Sequence, residues 1–257
     1  MIASGRTFQF AFLLLSLGVL FVLLRMGMKG KTFSLRKLPV FDSMDQAVGR
    51  ATETGRPVMF NLGTYPGSEG TPEAINAYAY LGHVSRLCAR YGTRLIATCF
   101  SVPAFVVMQG VVRESFAAEG KSDKYVAEDV MYLSDQAGAW GAAVWGIMER
   151  DRIAAHFFFD PMVAMALGVL ETAQRVGAIQ FSGSAYMWRL SDMAVTSDYL
   201  LVGEEIYAGA AYLTKEPSQM AVIVGQDIIK WISIAMTLVG ALVFAAGSDA
   251  VLKLIVL

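Results

Sequence analysis

Histidine and cysteine are scarce, with two of each among 257 residues. A pair of cysteines, Cys88 and Cys99, cannot staple a chain this long, which excludes a disulfide scaffold and leaves a reducing compartment as the default. His83 and Cys88 are five residues apart on one predicted helix, a spacing that does not bring them to a common face. His156 lies in an apolar, strand-like run, where a satisfied core histidine is the simpler reading. No metal and no cofactor is expected. Charge is scarce as well, at 17% against about 25% in an average globular chain. So low a content, beside 55% hydrophobic residues, excludes a disordered chain and a coiled coil.

Basic residues are few where a nucleic-acid binder would need them. Six of the 21 precede Leu38 and two follow Asp227, whereas only Asp249 among the 22 acids falls outside that interval. Residues 38–227 therefore carry a net charge of −8. No basic stripe tracks a phosphate backbone, and nucleic acid is not an expected partner.

What is present is apolar, with a mean hydropathy of +0.49. Residues 8–24 form an uncharged run broken only by Gln9 and Ser16, long enough at the helical rise for a membrane anchor. Arg25, Lys29, Lys31, Arg36 and Lys37 come after it with no acid among them, against Arg6 before it. The positive-inside rule places the segment after the run in the cytoplasm and the N-terminus outside. No small-x-small cleavage site succeeds the run, so a retained anchor is expected rather than a signal peptide. A second span is expected over 228–246, entered by Lys230 and Trp231 as a snorkelling cation and an interfacial ring. Ser233, Thr237, Ala241 and Ala245 recur at every fourth position there. That is either ordinary membrane composition or a face for close helix association. Residues 251–257 are too short to cross again and are expected in the outer interface.

The interval between the spans repeats a short apolar run, a turn and a helix. A leading helix is predicted over 43–54, capped by Asp42 and stopped by Gly55. Strands are predicted at 57–62, 94–100, 130–133, 153–159 and 178–181, alternating with helices at 72–91, 103–119, 136–152 and 161–176. Thr71-Pro72 and Asp160-Pro161 each set a capping oxygen before a proline at the first helical position, and Ser134 is expected to cap the third of these helices. Apolar strands with helices between them define a parallel sheet covered on both faces: a doubly wound, Rossmann-like α/β domain whose strand order stays open. Residues 197–213 read as helix, and a further helix is expected to run from 218 without a break into the second span. The organisation expected is an anchor with a basic segment over 1–37, a cytoplasmic α/β domain over 38–227, and a second span with its tail over 228–257. Both ends then lie on the outer side of the cytoplasmic membrane.

In such folds ligands bind beyond the carboxyl ends of the strands. The Gly-rich stretch 63–71, with Gly63, Thr64, Gly67, Gly70 and Thr71, leads from the first strand into a helix. Ser101, Ser134, Asp135, Asp160, Ser182 and Ser184 are expected on the same edge. Backbone amides there would favour an anion such as a nucleotide or phosphometabolite. Yet the loop matches neither the dinucleotide nor the P-loop pattern, has no lysine, and carries Glu69, which repels an anion. A plain connection with good helix caps explains it equally. Ser182-Gly183-Ser184 is not a nucleophile elbow and has no placed histidine. Glu204 and Glu205 are adjacent, so they point about 100° apart on a helix and do not pair as acid and base. No catalytic constellation emerges.

Helix 136–152 has little bulk. Gly138, Gly141 and neighbouring alanines surround Trp140 and Trp145. Tight packing on the sheet is one reading, and a subunit interface anchored by the tryptophans is the other. The leading expectation is a membrane-anchored, non-catalytic scaffold, partnered by the lipid bilayer and by its own copies or other membrane subunits. A ligand-binding protein or enzyme using the strand-end cleft is the alternative.

The stretch 44–60, with its helix, Gly-Arg-Pro and strand, the stretch 197–213, and Gly225-Gln226-Asp227 together resemble an uncharacterised prokaryotic membrane-associated family, a domain of unknown function. The resemblance covers roughly 38–230. It implies a membrane-associated α/β domain and transfers no catalytic residue.

Overall fold

A computed structural model describes residues 6–31, 33, 38–159 and 165–247. The chain forms two compact units, Lys37–Thr214 on one hand and Met1–Arg36 with Lys215–Leu257 on the other.

Helix α1 (Thr7–Met28) opens the chain and belongs to the second of these units. The α/β unit begins with α2 (Val40–Thr54), three residues earlier than the sequence suggests. Pro39 occupies the cap position and Asp42 sits inside the first turn rather than capping it. Gly55 ends it in the left-handed conformation, at φ +65°, where a side chain would be strained. Strand β1 (Val58–Leu62) comes next, then α3 (Pro72–Tyr91), β2 (Leu95–Cys99), α4 (Val102–Ala118), β3 (Val130–Tyr132), α5 (Ala137–Asp151) and β4 (Ala155–Phe159). The unit closes with α6 (Ala166–Arg175), β5 (Ile179–Ser184), α7 (Met187–Thr196), β6 (Tyr199–Val202) and α8 (Glu205–Thr214).

All six strands are parallel, in the order β3-β2-β1-β4-β5-β6. This is the doubly wound order, with its reversal between β1 and β4. The central strands β1, β2 and β4 are buried at every residue, as a sheet covered on both faces requires. Alternate side chains feed two cores. Phe60, Leu62, Phe157 and Phe159 pack with α2, α3, α4 and α8 on one face. Met59, Ile96 and Phe158 pack with Trp140, Val144, Val169 and Met193 on the other.

The structure corrects two further expectations. Residues 197–213 are not one helix: they hold β6, a turn at Gly203 and then α8. Asp198 accepts the Gln180 N–H at 2.8 Å and Gly203 donates to the Ser184 carbonyl at 2.9 Å, so this segment completes the sheet as a sixth strand. A run of four residues, Tyr-Leu-Leu-Val, carries too little periodicity to separate an edge strand from a helical turn. Ser134 does not cap α5. Its Oγ accepts from the Gln136 N–H at 3.1 Å, a turn two residues long, and Gln136 takes the cap position. The Asp160-Pro161 cap and the tail at 251–257 lie outside the described residues.

The other unit is a pair of long apolar helices, α1 and α9 (Pro217–Ala245). Both have the length and composition to cross a membrane. As the sequence suggests, α9 runs unbroken into the second apolar stretch, and this is why the division falls at Lys215, ahead of the boundary drawn at 228. The helices pack antiparallel through glycines. A β-carbon on Gly27 would stand 2.6 Å from the Pro217 carbonyl oxygen, and one on Gly225 would stand 2.7 Å from Leu20 Cδ2.

Candidate functional site

The loop between β1 and α3 lies at the carboxyl end of the strand beside the sheet's reversal, where this fold places ligands. Thr64 is buried, while Gly67 and Gly70 are exposed. Thr71 caps α3, its Oγ1 accepting from Ala74 N–H at 3.4 Å, with Pro72 in the first turn. Ser101 caps α4 in the same way, accepting from Ala104 N–H at 3.5 Å.

Three of the loop's backbone donors, those of Gly67, Ser68 and Thr71, are occupied by the chain. Ser68 N–H donates to the Tyr65 carbonyl at 2.9 Å and Thr71 N–H to the Ser68 carbonyl at 3.1 Å. Gly67 N–H donates to Glu69 Oε2 at 3.0 Å, and the Ser101 hydroxyl donates to Glu69 Oε1. The Ser101 hydrogen bond, with help from the Gly67 amide, holds the Glu69 carboxyl below the usual carboxylate range. An internal carboxylate thus takes the contacts an external anion would seek.

The other residues expected at this edge scatter. Asp135 is exposed in the turn before α5. Ser182 does not lie beyond a strand end: β5 extends to Ser184, so Ser182 is a buried strand residue whose Oγ lies 2.6 Å from Ser197 Oγ. Ser184 is buried and accepts from Tyr186 N–H at 3.0 Å. Asp160 lies outside the described residues. Gly63 is buried beside Thr64. Among the described residues of the expected set, the structure joins Gly67 and Ser101 through Glu69.

The sequence did not reveal the polar chain that crosses the buried sheet. Thr98 Oγ1 donates to Asn61 Oδ1 at 2.8 Å, so the Asn61 amide nitrogen faces His156 Nε2 at 3.0 Å. His156 Nδ1 then donates to Gln180 Oε1 at 3.2 Å, and Gln180 Nε2 donates to the Leu170 and Thr196 carbonyls at 2.9 and 2.8 Å. Each group has one consistent role, which fixes the imidazole tautomer. Burial pushes His156 down to about 4, so it is neutral at pH 7. His83 is likewise pushed down to about 4, burial first and Arg86 second. Only the strand order brings Thr98, Asn61, His156 and Gln180 together on neighbouring strands, with Asn61 two residues out of register from His156.

Concave surface also opens at the opposite, amino edge. One cavity of about 450 Å³ lies among Thr52, Arg56, Thr93, Arg94 and Asp151. Its charges are paired. Arg94 forks onto the buried Asp129 at 2.6–3.1 Å and reaches Asp151 at 3.5 Å. Arg56 donates to the Arg152, Ile153 and Val176 carbonyls, tying three chain segments. Among the described residues, no three His, Cys, Asp or Glu side chains converge as metal ligands. Cys88 and Cys99 are buried and their thiols are pushed up, Cys99 to about 12, so neither supplies a thiolate.

The residues considered for an interface divide. Trp140 is fully buried against Phe100 and Phe158, with ring centroids 5.6 and 6.3 Å away. Gly141 is buried beside Met165, and Trp145 packs on Gly168, where a β-carbon would stand 2.6 Å from its ring. Trp140 thus packs α5 onto the sheet, and Gly141 and Trp145 serve its contact with Met165 and α6. Gly138 remains exposed. On α9, Ser233 is half-buried and donates to the Ile229 carbonyl at 2.9 Å, whereas Thr237, Ala241 and Ala245 are exposed.

Fold and edge together define a doubly wound α/β unit accompanied by an apolar helical pair. The family described as Domain of unknown function (DUF6754) matches residues 1–255, and the chain belongs to it. No curated protein and no solved structure matches the chain.

Proposed function

We propose that this chain is a membrane-anchored, non-catalytic scaffold that assembles with its own copies or with other membrane subunits through the α/β unit and the helical pair. The observation that carries this reading is the Glu69 carboxylate, which takes the Gly67 amide and the Ser101 hydroxyl at the one edge where the fold would hold an anion. The two apolar helices support anchoring, and the basic residues after the first of them support a cytoplasmic α/β unit.

Thermal unfolding of the full chain in detergent tests it. With inorganic phosphate, mononucleotides or dinucleotides at millimolar concentration, the midpoint is expected to stay unchanged. A saturable rise would overturn the reading, because a ligand that binds only the folded state must raise it.

A second reading, a nucleotide- or phosphometabolite-binding protein, draws support from the strand order, which sets the β1–α3 loop beside the sheet's reversal. On that reading Glu69 competes with the ligand, and Glu69→Gln should raise the midpoint shift produced by phosphate compounds.

A further inference from the structure

The helical pair carries two charges that an anchoring role does not require. The glycine contacts fix its register: Gly27 meets Pro217 and Ala221, and Gly225 meets Leu20 and Leu23. Farther along, Ile228 borders a groove shared with Leu15, Gly18 and Val22. In this register Arg25, which closes the apolar run of α1, stands level with the neighbourhood of Ala221. Asp227 and Lys230 come six and nine residues after Ala221, roughly 9 and 13 Å at the helical rise. Both therefore lie level with the uncharged stretch 8–24 of α1. A slab drawn to cover that stretch encloses them, which sets Lys230 deeper than the entrance position expected of it from the span 228–246 alone.

Their direction around α9 is equally informative. Ala221 and Gly225 are buried against α1. At 100° per residue, Asp227, Ile234 and Leu238 emerge from the opposite side, with Lys230 about 60° from Asp227. Exposure agrees: the side chains of Asp227 and Lys230 are 57% and 46% exposed. They form an ion pair at 3.2 Å. Ionisable groups at this depth are costly unless they face protein or water. The pair faces away from α1.

Resting on the membrane reading, we infer that this face is an interface with a second copy of the chain. A two-fold axis along the membrane normal sets Asp227 of each copy against Lys230 of the other. The charge pattern selects a copy over an unrelated helix. One anion and one cation, a single turn apart, are complementary to their own image under a two-fold rotation. Ala241 and Ala245 continue the same side of α9 and permit close helix approach. The resulting four-charge cluster is shielded from lipid by Trp231 and Ile234 of both chains.

Cysteine cross-linking of the full chain in its native membrane tests this. Ile234→Cys and Leu238→Cys are each expected to give an oxidised species of twice the chain mass, and Ile232→Cys, on the α1 side, none. In the Ile234→Cys background, Asp227→Lys alone and Lys230→Asp alone should each lower the cross-linked fraction roughly fivefold or more. Co-expressing the two variants restores opposite charges across the axis and should restore the cross-link. An embedded chain that stays monomeric at Ile234→Cys, or cross-links there undiminished in both charge variants, overturns the inference. Recovery of the chain in an alkaline membrane wash would instead overturn the membrane reading, and this inference with it. The positional pattern stands as a test even if a charge variant fails to insert.

Discussion

His156 is held by two side chains whose roles admit one tautomer, and its burial sets a pH response with a definite sign. The folded imidazole resists protonation until about pH 4, whereas in an unfolded chain it takes a proton near 6.5. Below pH 6.5 the unfolded state therefore binds a proton that the folded state refuses, and stability falls as pH drops toward 4. A depression of this size corresponds to about 3 kcal/mol by pH 4 for a fully buried group. His83 acts in the same direction. Imidazole NMR signals across pH 7.5 to 4 should show His156 neutral throughout most of that range, while the thermal midpoint declines below pH 6.5. An imidazole titrating near 6.5 in the folded protein would contradict the buried chain. At this scale the sequence was half legible. An apolar run on both sides of His156 marks it as a core residue, but nothing local points to Asn61 or Gln180, 95 and 24 residues away. The same holds for Glu69. Its charge is plain in the sequence, yet its bond to Ser101, 32 residues on, appears only when β1 and β2 lie side by side.

At the scale of elements, α8 shows how one missing side chain permits a contact. A β-carbon on Gly209 would collide with the Tyr80 hydroxyl, which donates to the Ile206 carbonyl at 2.9 Å while its ring stacks on Phe159 at 4.2 Å. Tyr80 is fully buried and has little room to yield. Gly209→Ala should therefore destabilise the α/β unit by about 1–3 kcal/mol, against the small gain alanine usually brings to a helix. Pulse proteolysis of the full chain in detergent measures it, and an unchanged or raised stability would show that α8 does not pack on α3 as described. Strands bounded by proline and glycine, such as β1 between Pro57 and Gly63, were legible because turn chemistry marks their ends. Edge strand β6 was not. It is four residues long, with Tyr199 and Val202 exposed, so it shows neither the continuous apolar run of a central strand nor a long alternation. The caps divided in the same way. Thr71 precedes Pro72 and caps as expected, Ser101 caps α4 although the sequence marked it only as a strand-end residue, and Ser134 turns back onto its own segment.

At the scale of the whole molecule, one unit is a six-stranded parallel sheet wrapped by helices and the other an apolar helical pair. Composition and the uncharged runs made both legible as classes. The reversal between β1 and β4 was not, because strand order depends on which crossovers pack, a property of no single segment. On the scaffold reading the protein organises other chains and does no chemistry itself. Native mass spectrometry of the protein, extracted gently from its own membrane, puts that reading to the sharpest test. It requires a discrete multiple of 27.9 kDa, or a defined complex with other subunits, and no small molecule retained. A single chain carrying a stoichiometric small-molecule adduct would contradict it and direct attention to the edge that Glu69 now occupies.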